Sequence, residues 1–328
     1  MAQAVFPPAN DMDTDPRPLS APSTISEVER ETGVAKETLR VWERRYAFPQ
    51  PVRDQFGERL YPPEQVHKLR LVKRLLDLGY RPGKIIGGSA EQLLALSERE
   101  SEALAATPAA PDPVLAGLLA LCRQQQADAL RQGLSHALLT LGLRRFVTEV
   151  VAPLTSLIGS AWANGELAIF AEHLCTETLQ MVLRNAIFTL PRPGGSGLGT
   201  PRVLLTTLPL ERHGLGLLMA EALCVAEGAH CVSLGVQTPL LEIVEAARSQ
   251  RADVIALSFS SANNPRQAAD GLAELRARLP AAIELWAGGS SPALRKRLDG
   301  ARVLNLADVA GAIADWRHRH AAARASGH

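Results

Sequence analysis

Beyond residue 200 the chain alternates short apolar runs with helical patterns, and this alternation limits its possible folds more than any other feature. Strand patterns at 203–208, 230–234, 254–259, 283–287 and 303–306 are separated by helical patterns at 215–227, 240–249 and 265–279, by a short helix, and are followed by a last helix ending near residue 323. Repeated strand and helix predicts a doubly wound parallel sheet, and five such units in about 120 residues suit a flavodoxin-like α/β layer.

The first of these strands ends in Leu208-Pro209-Leu210-Glu211-Arg212-His213-Gly214-Leu215-Gly216. His213 therefore falls at a strand's carboxyl end, the edge where open parallel sheets bind ligands. Glu211, two residues earlier, can hold one ring nitrogen and fix the tautomer, as carboxylates do behind metal-ligating histidines. Gly214 and Gly216 carry no side chain, which lets a large planar ligand approach the backbone. Ser258-Phe259-Ser260 closes the third strand and Gly288-Gly289 the fourth. Small residues at neighbouring carboxyl ends leave a slot beside the sheet, although a Gly-Gly pair also makes an ordinary turn.

Before residue 190 the pattern is helical. Residues 1–22 hold five prolines and three aspartates and predict a disordered arm. Residues 23–88 carry thirteen Lys or Arg against nine Asp or Glu, net +4, in a chain whose overall charge is +1, so the basic excess belongs to one small segment. A short helix over 24–33, with Ser26 as candidate cap, is followed across Gly33 by a second over 36–45, the order of a helix-turn-helix. On the second helix Val34, Leu39 and Trp42 suit a small core, while Lys36, Arg40 and Arg44 recur at i, i+4, i+8 and can meet phosphates and base edges. A polar hairpin over 53–61 presents Arg53, Arg59 and Tyr61, and a basic helix follows over 63–78.

Gly33-Val34, then Thr38-Leu39-Arg40-Val41-Trp42-Glu43-Arg44-Arg45-Tyr46, then Arg59-Leu60-Tyr61 and Leu78-Gly79-Tyr80 resemble the DNA-binding domain of the MerR family. The resemblance implies a winged helix-turn-helix that reads double-stranded operator DNA, with Lys36, Thr38, Arg40, Arg44, Arg53, Arg59 and Tyr61 as contact residues. Gly87-Gly88-Ser89 then breaks the helical pattern, a short helix lies over 91–105, and 107–113 is an Ala/Pro linker.

Apolar residues recur at helical spacing through 114–122, 127–134, 143–159 and 168–190, predicting an all-α four-helix bundle. Trp162, Glu172 and His173 stand before and on its last helix. Trp162 with nine residues before Glu172-His173 resembles the signature of the cobalamin-dependent photoreceptor regulators of the MerR family, the CarH or LitR type. Glu211-x-His213-x-x-Gly216 is similar to the Asp-x-His-x-x-Gly motif of cobalamin-binding domains.

The resemblance implies a light-responsive repressor, not an enzyme, that holds adenosylcobalamin. It implies His213 as lower axial cobalt ligand, Glu211 behind it, and Gly216, Ser258, Ser260, Gly288 and Gly289 around the nucleotide tail. Trp162, Glu172 and His173 would cover the upper face. It also implies self-association, a dark tetramer or dimer that light takes apart. The expected divisions are an arm over 1–22, DNA-binding domain 23–88, linker 89–113, helical cap 114–190 and cobalamin domain 200–324. Three residues depart from the pattern. Ala163 follows Trp162 where well-understood members place a His, and Glu211 stands for Asp. Ser260 replaces a larger residue, so that word is half matched.

Four cysteines without Cys-x-x-Cys spacing suggest neither a zinc site nor a disulfide framework. No apolar run approaches the roughly 20 residues needed to span a bilayer, and the acidic, Pro-rich start is no signal peptide. The expectation is a cytoplasmic protein without membrane contact, nucleoid-associated when bound to DNA.

Overall fold

The computed structural model describes residues 21–77, 80–104, 112–190, 200–260, 264–295 and 298–325, so the expected arm lies almost wholly outside the described residues, as do 105–111 of the linker and the connector 191–199. The chain divides into two compact units, 1–69 and 70–328.

In the first unit β1 (Ser23–Thr24) leads into α1 (Ile25–Thr32). The cap is Thr24 rather than Ser26. Thr24 Oγ1 accepts the Glu27 N–H at 3.3 Å, and the Glu27 carboxylate accepts the Thr24 N–H at 2.7 Å, a reciprocal pair that needs an acceptor three residues on. Gly33 ends α1 at φ 69, a left-handed turn that glycine adopts without strain. Next come α2 (Lys36–Tyr46), β2 (Val52–Arg53) and β3 (Arg59–Tyr61), and the three strands form an antiparallel sheet in the order β1-β3-β2. Val28, Val34, Leu39, Trp42, Tyr61, Val66 and Leu69 are among the unit's buried residues. The next helix, α3 (Pro63–Asp77), starts here and continues into the second unit.

The second unit goes on with α4 (Pro82–Ile85) and α5 (Ala90–Leu104), the latter capped by Ser89 and Gln92 in exchange. The bundle comprises α6 (Pro113–Arg123), α7 (Ala127–Arg145), a π-helical turn (Phe146–Val151), α8 (Ala152–Ala163) and α9 (Ile169–Thr189). The run Ala127–Ala163 is long and apolar enough to cross a membrane by length and composition alone, which the raw sequence pattern did not suggest. Gly142 kinks it at φ 73, ψ 161, and Leu130, Leu134, Phe146, Val147 and Leu154 bury themselves in the bundle core.

The α/β layer contains β4 (Arg202–Thr206), α10 (Leu215–Ala226), β5 (His230–Gly235), α11 (Leu240–Ser249), β6 (Val254–Phe259), α12 (Pro265–Arg278), β7 (Glu284–Gly289), β8 (Arg302–Leu304) and α13 (Val309–Ala325). Its five strands are parallel in the order β5-β4-β6-β7-β8. The chain leaves β4 toward β5 on one side and returns to β6 on the other, so the loops after β4 and β6 diverge and open a crevice between them. The residues of α11 and α12 pack one face of the sheet. Those of α10 and α13 pack the other, and there bundle and sheet share one continuous core. This explains why α10 is apolar nearly all round: it is covered on both sides.

All four cysteines are free. They meet as two thiol pairs, Cys122 with Cys175 across the bundle and Cys224 of α10 with Cys231 of β5. The neighbouring thiol and burial push Cys122 and Cys231 up, away from thiolate formation.

Candidate cofactor site and nucleic-acid interface

At the crevice between β4 and β6, four hydrogen bonds converge on one carboxylate. Glu211 Oε1 accepts from the His213 backbone N–H at 2.9 Å and from His213 Nδ1 at 2.7 Å. Its Oε2 accepts from the Ser260 N–H and hydroxyl, both at 2.8 Å. Glu211 is 1% exposed. Burial alone pushes its carboxyl up, but the bonds from His213 and Ser260 together outweigh this and hold the pKa at about 2. An ionised acceptor on Nδ1 fixes the proton there, leaving Nε2 of His213, a side chain 62% exposed, with its lone pair available to a metal.

The loop is pinned from behind by Thr207, whose hydroxyl donates to the Glu211 carbonyl at 2.8 Å and accepts from the Gln237 N–H at 2.8 Å. Thr206 bonds Thr238 at 2.7 Å. Neither threonine stood out in the sequence. The signal was there in two hydroxyls ending an otherwise apolar buried strand, since buried hydroxyls need partners.

Gly216, Ser258, Gly288 and Gly289, expected around one slot, do line one cavity of about 120 Å³, walled otherwise mostly by apolar side chains including Trp286 and Leu304. A Cβ on Gly216 would stand 2.9 Å from Ser258 Oγ, one on Gly288 2.9 Å from the Leu304 carbonyl, and one on Gly289 2.1 Å from the Phe259 carbonyl. A side chain at any of these positions would therefore push against the wall of the slot, which glycine avoids, as a cradle for a flat ligand part requires. Ser260 is not among its lining residues. A larger apolar side chain would have no hydroxyl for Glu211, and here the hydroxyl serves that clamp. Together, an imidazole with one nitrogen held and one open, beside an apolar slot, fits a corrinoid with a tail.

In the bundle, His173 Nδ1 donates to Glu172 at 2.6 Å, and Glu172 also accepts from Thr176 at 2.8 Å. Trp162 packs partly buried against the bundle core, and its indole Nε1 is buried with no hydrogen-bond partner among the described residues. A donor so left costs on the order of 1–3 kcal/mol. The neighbouring Ala163 is fully buried. No hydrogen bond among the described residues joins Trp162, Glu172 or His173 to the Glu211 clamp.

On the first unit, Arg40, Arg44 and Arg53 are exposed, and Lys36, Thr38 and Arg59 are half-buried. Lys36 is 3.6 Å from Glu29. Tyr61 corrects its assigned role as a DNA contact: it is fully buried, donating its hydroxyl to Glu43 at 2.8 Å. Glu43 also accepts from Arg59 Nε at 3.0 Å. Burial, and then the Glu43 carboxylate, push the phenol well above its usual range. Arg-x-Tyr with Trp-Glu thus reads as the brace between hairpin and α2. Tyr61→Phe is expected to cost about 1.5–3 kcal/mol of head stability, as hydrogen bonds to charged groups do, with duplex affinity unchanged where the head is folded. Urea unfolding and gel shift together check this, and lost affinity with unaltered unfolding would return Tyr61 to the DNA.

A basic helix-turn-helix with a hairpin wing, followed by a bundle and a parallel sheet with a histidine clamp, defines a DNA-binding regulator with a corrinoid-binding module. Family models agree segment by segment: a MerR HTH family regulatory protein over 23–87, and B12 binding domains over 114–186 and 201–311. The chain is similar to the HTH-type transcriptional repressor CarH of Myxococcus xanthus, 29% identical over 79% of this chain and 86% of that protein. To CarA of the same organism it is 29% identical over 78% and 83%. A solved monomethylamine corrinoid protein of Methanosarcina barkeri superposes with TM-score 0.48 at 15% identity, covering 60% of this chain and 94% of that one. The chain thus carries a MerR-type DNA-binding segment ahead of two B12 binding segments, and over more than three quarters of its length it is similar to the CarH and CarA repressors.

Proposed function

We propose that this regulator is a repressor that senses light through adenosylcobalamin and is itself no enzyme. Adenosylcobalamin supplies a cobalt–carbon bond that light can break. His213 would hold the cobalt of the cofactor through Nε2, and Glu211, fixed by Ser260, keeps the imidazole in that tautomer. Gly216, Ser258, Gly288 and Gly289 receive the nucleotide tail. Trp162, Glu172 and His173 cover the upper face, and the orphaned indole N–H of Trp162 gains a partner there. The observation that carries the reading is the convergence of four hydrogen bonds on Glu211, which spends a buried charge on orienting one histidine.

On the upper side Ala163 offers no ligand, so a second ligand after illumination would have to be His173 or water, and the lit state would be less locked and reversible in the dark. The functional domains are 23–88, 114–190 and 200–324, with 1–22 as an arm and 89–113 as linker. In the dark the protein is a cytoplasmic dimer or tetramer on operator DNA, because linked heads bind more tightly than one salt-sensitive head. Light separates the copies. The buried Ala163 also favours a second reading, a sensor of cobalamin level without photochemistry.

Absorption and size-exclusion profiles of the protein with adenosylcobalamin, in the dark and after green light, separate these. A His-ligated spectrum with a change of size on illumination supports the photoreceptor. Retention without change supports the level sensor, and no retention removes both. A stable two-histidine spectrum after light would overturn the expectation drawn from Ala163.

A further inference from the structure

The wing carries a side chain that neither the clamp nor the helix-turn-helix explains. Phe56, between β2 and β3, is 80% exposed, and Val52 beside it on β2 is 61% exposed. A single exposed apolar side chain is common on protein surfaces. What sets this one apart is that it is held rigidly, with Val52 also exposed on the same hairpin, in a head that otherwise presents basic side chains. Rigid support is what the turn provides. Asp54 Oδ1 accepts the N–H groups of Phe56 at 2.9 Å and Glu58 at 2.8 Å. The Asp54 N–H reaches the Glu58 carbonyl at 3.0 Å, and the Gly57 N–H reaches the Asp54 carbonyl at 3.0 Å. Gly57 takes φ +80, a value that suits glycine, and Arg53 Nη1 donates to its carbonyl at 2.7 Å. Five hydrogen bonds hold a five-residue tip whose apex side chain touches no core.

We propose that Phe56 is an apolar wedge that the wing inserts between base pairs in the minor groove of the operator, and so helps set which sequences this regulator prefers. Three observations favour DNA over another partner. The hairpin belongs to the head whose α2 exposes Arg40 and Arg44, so the wedge lies on the element that flanks the reading helix. Arg53, exposed beside Val52, keeps guanidinium N–H groups for phosphate beyond the one spent on Gly57. The Asp54 carboxylate is turned into the loop, where its Oδ1 accepts two backbone N–H groups rather than pointing at the DNA-facing tip. Glu58 is exposed and offers no phosphate contact, so phosphate contact at the wing falls to Arg53 and the apex itself presents only the phenyl ring. A phenyl wedge unstacks one base step and bends the duplex, and flexible pyrimidine–purine steps yield most readily. A preference for TA or CA/TG at a position under the wing follows, with no polar contact to those bases.

The test uses the full-length chain, with and without adenosylcobalamin, selecting from a pool of randomised duplexes and then measuring affinity and bend angle on the selected DNA. Phe56→Ala is expected to lose roughly tenfold or more in affinity, most of the bend, and the step preference. Phe56→Leu, still apolar, keeps much of all three. Because Phe56 is exposed, neither variant should change thermal unfolding. The proposal is overturned if Phe56→Ala matches the parent in affinity, bend and step preference. It is equally overturned if that variant weakens all duplexes alike with the bend intact, or alters only self-association. If the parent chain itself selects no duplex, the DNA-binding reading falls with it, an outcome distinct from a failure of the wedge alone.

Discussion

Glu211→Ala is expected to weaken cobalamin retention by roughly 10–100-fold, the usual cost of removing the partner behind a metal-ligating histidine. Three effects act together. The imidazole loses the acceptor that fixes its tautomer, the loop loses its bond from the His213 N–H, and the Ser260 N–H and hydroxyl lose their acceptor. His213→Ala should abolish the His-ligated spectrum altogether, whereas Glu211→Ala should keep a residual form of it. Unchanged spectrum and affinity in both variants would remove this clamp from the cofactor site.

The same carboxylate makes a pH prediction without any cofactor. Its ordinary value of 4.5 falls to about 2 in the folded chain. A group whose folded pKa is depressed contributes stability that is present in full above the unfolded value and is lost as pH falls through the folded one. The shift corresponds to about 3 kcal/mol, lost between pH 4.5 and about 2. Urea unfolding of parent and Glu211→Ala proteins across that range should show a steeper acid loss in the parent. Parallel curves would mean that the hydrogen bonds do not hold the charge as the geometry indicates.

Gly289→Ala is expected to be the most damaging single-methyl change in the α/β layer, at about 3–5 kcal/mol by the scale of strained backbone and steric overlap. The new Cβ would lie 2.1 Å from the Phe259 carbonyl oxygen and 2.9 Å from its carbon, and the residue sits at φ +119. Both obstacles are backbone, so no side chain can move aside. Phe259 and Gly289 are paired across β6 and β7, so relief would require the two strand ends to part where the slot is formed. Gly117→Ala is the control: open space surrounds that position in α6, and alanine there should be neutral or slightly stabilising. Thermal unfolding decides, and equal midpoints for both variants would show that the strand ends yield more easily than their pairing suggests.

Much of the molecule could be read without coordinates because period and punctuation are local. The strand-helix alternation after residue 200 is a matter of period, and Gly33 ends α1 by its own backbone freedom. Glu211, two residues before His213, was legible as its partner for the same reason, since both lie on one loop. Sequence also determined the order of head, bundle and sheet, because each has its own hydrophobic spacing. Tertiary structure decided which side chains share a charge. Ser260 lies 49 residues from Glu211 and meets it only because β4 and β6 are neighbours in the sheet. Tyr61 looked like a phosphate contact until the fold carried it inward onto Glu43. Two cysteine pairs likewise formed across separate elements. A hydrogen bond between distant residues leaves no periodic trace in the chain, and whether a polar side chain is spent inside or left for a ligand depends on burial, which only the packed structure sets.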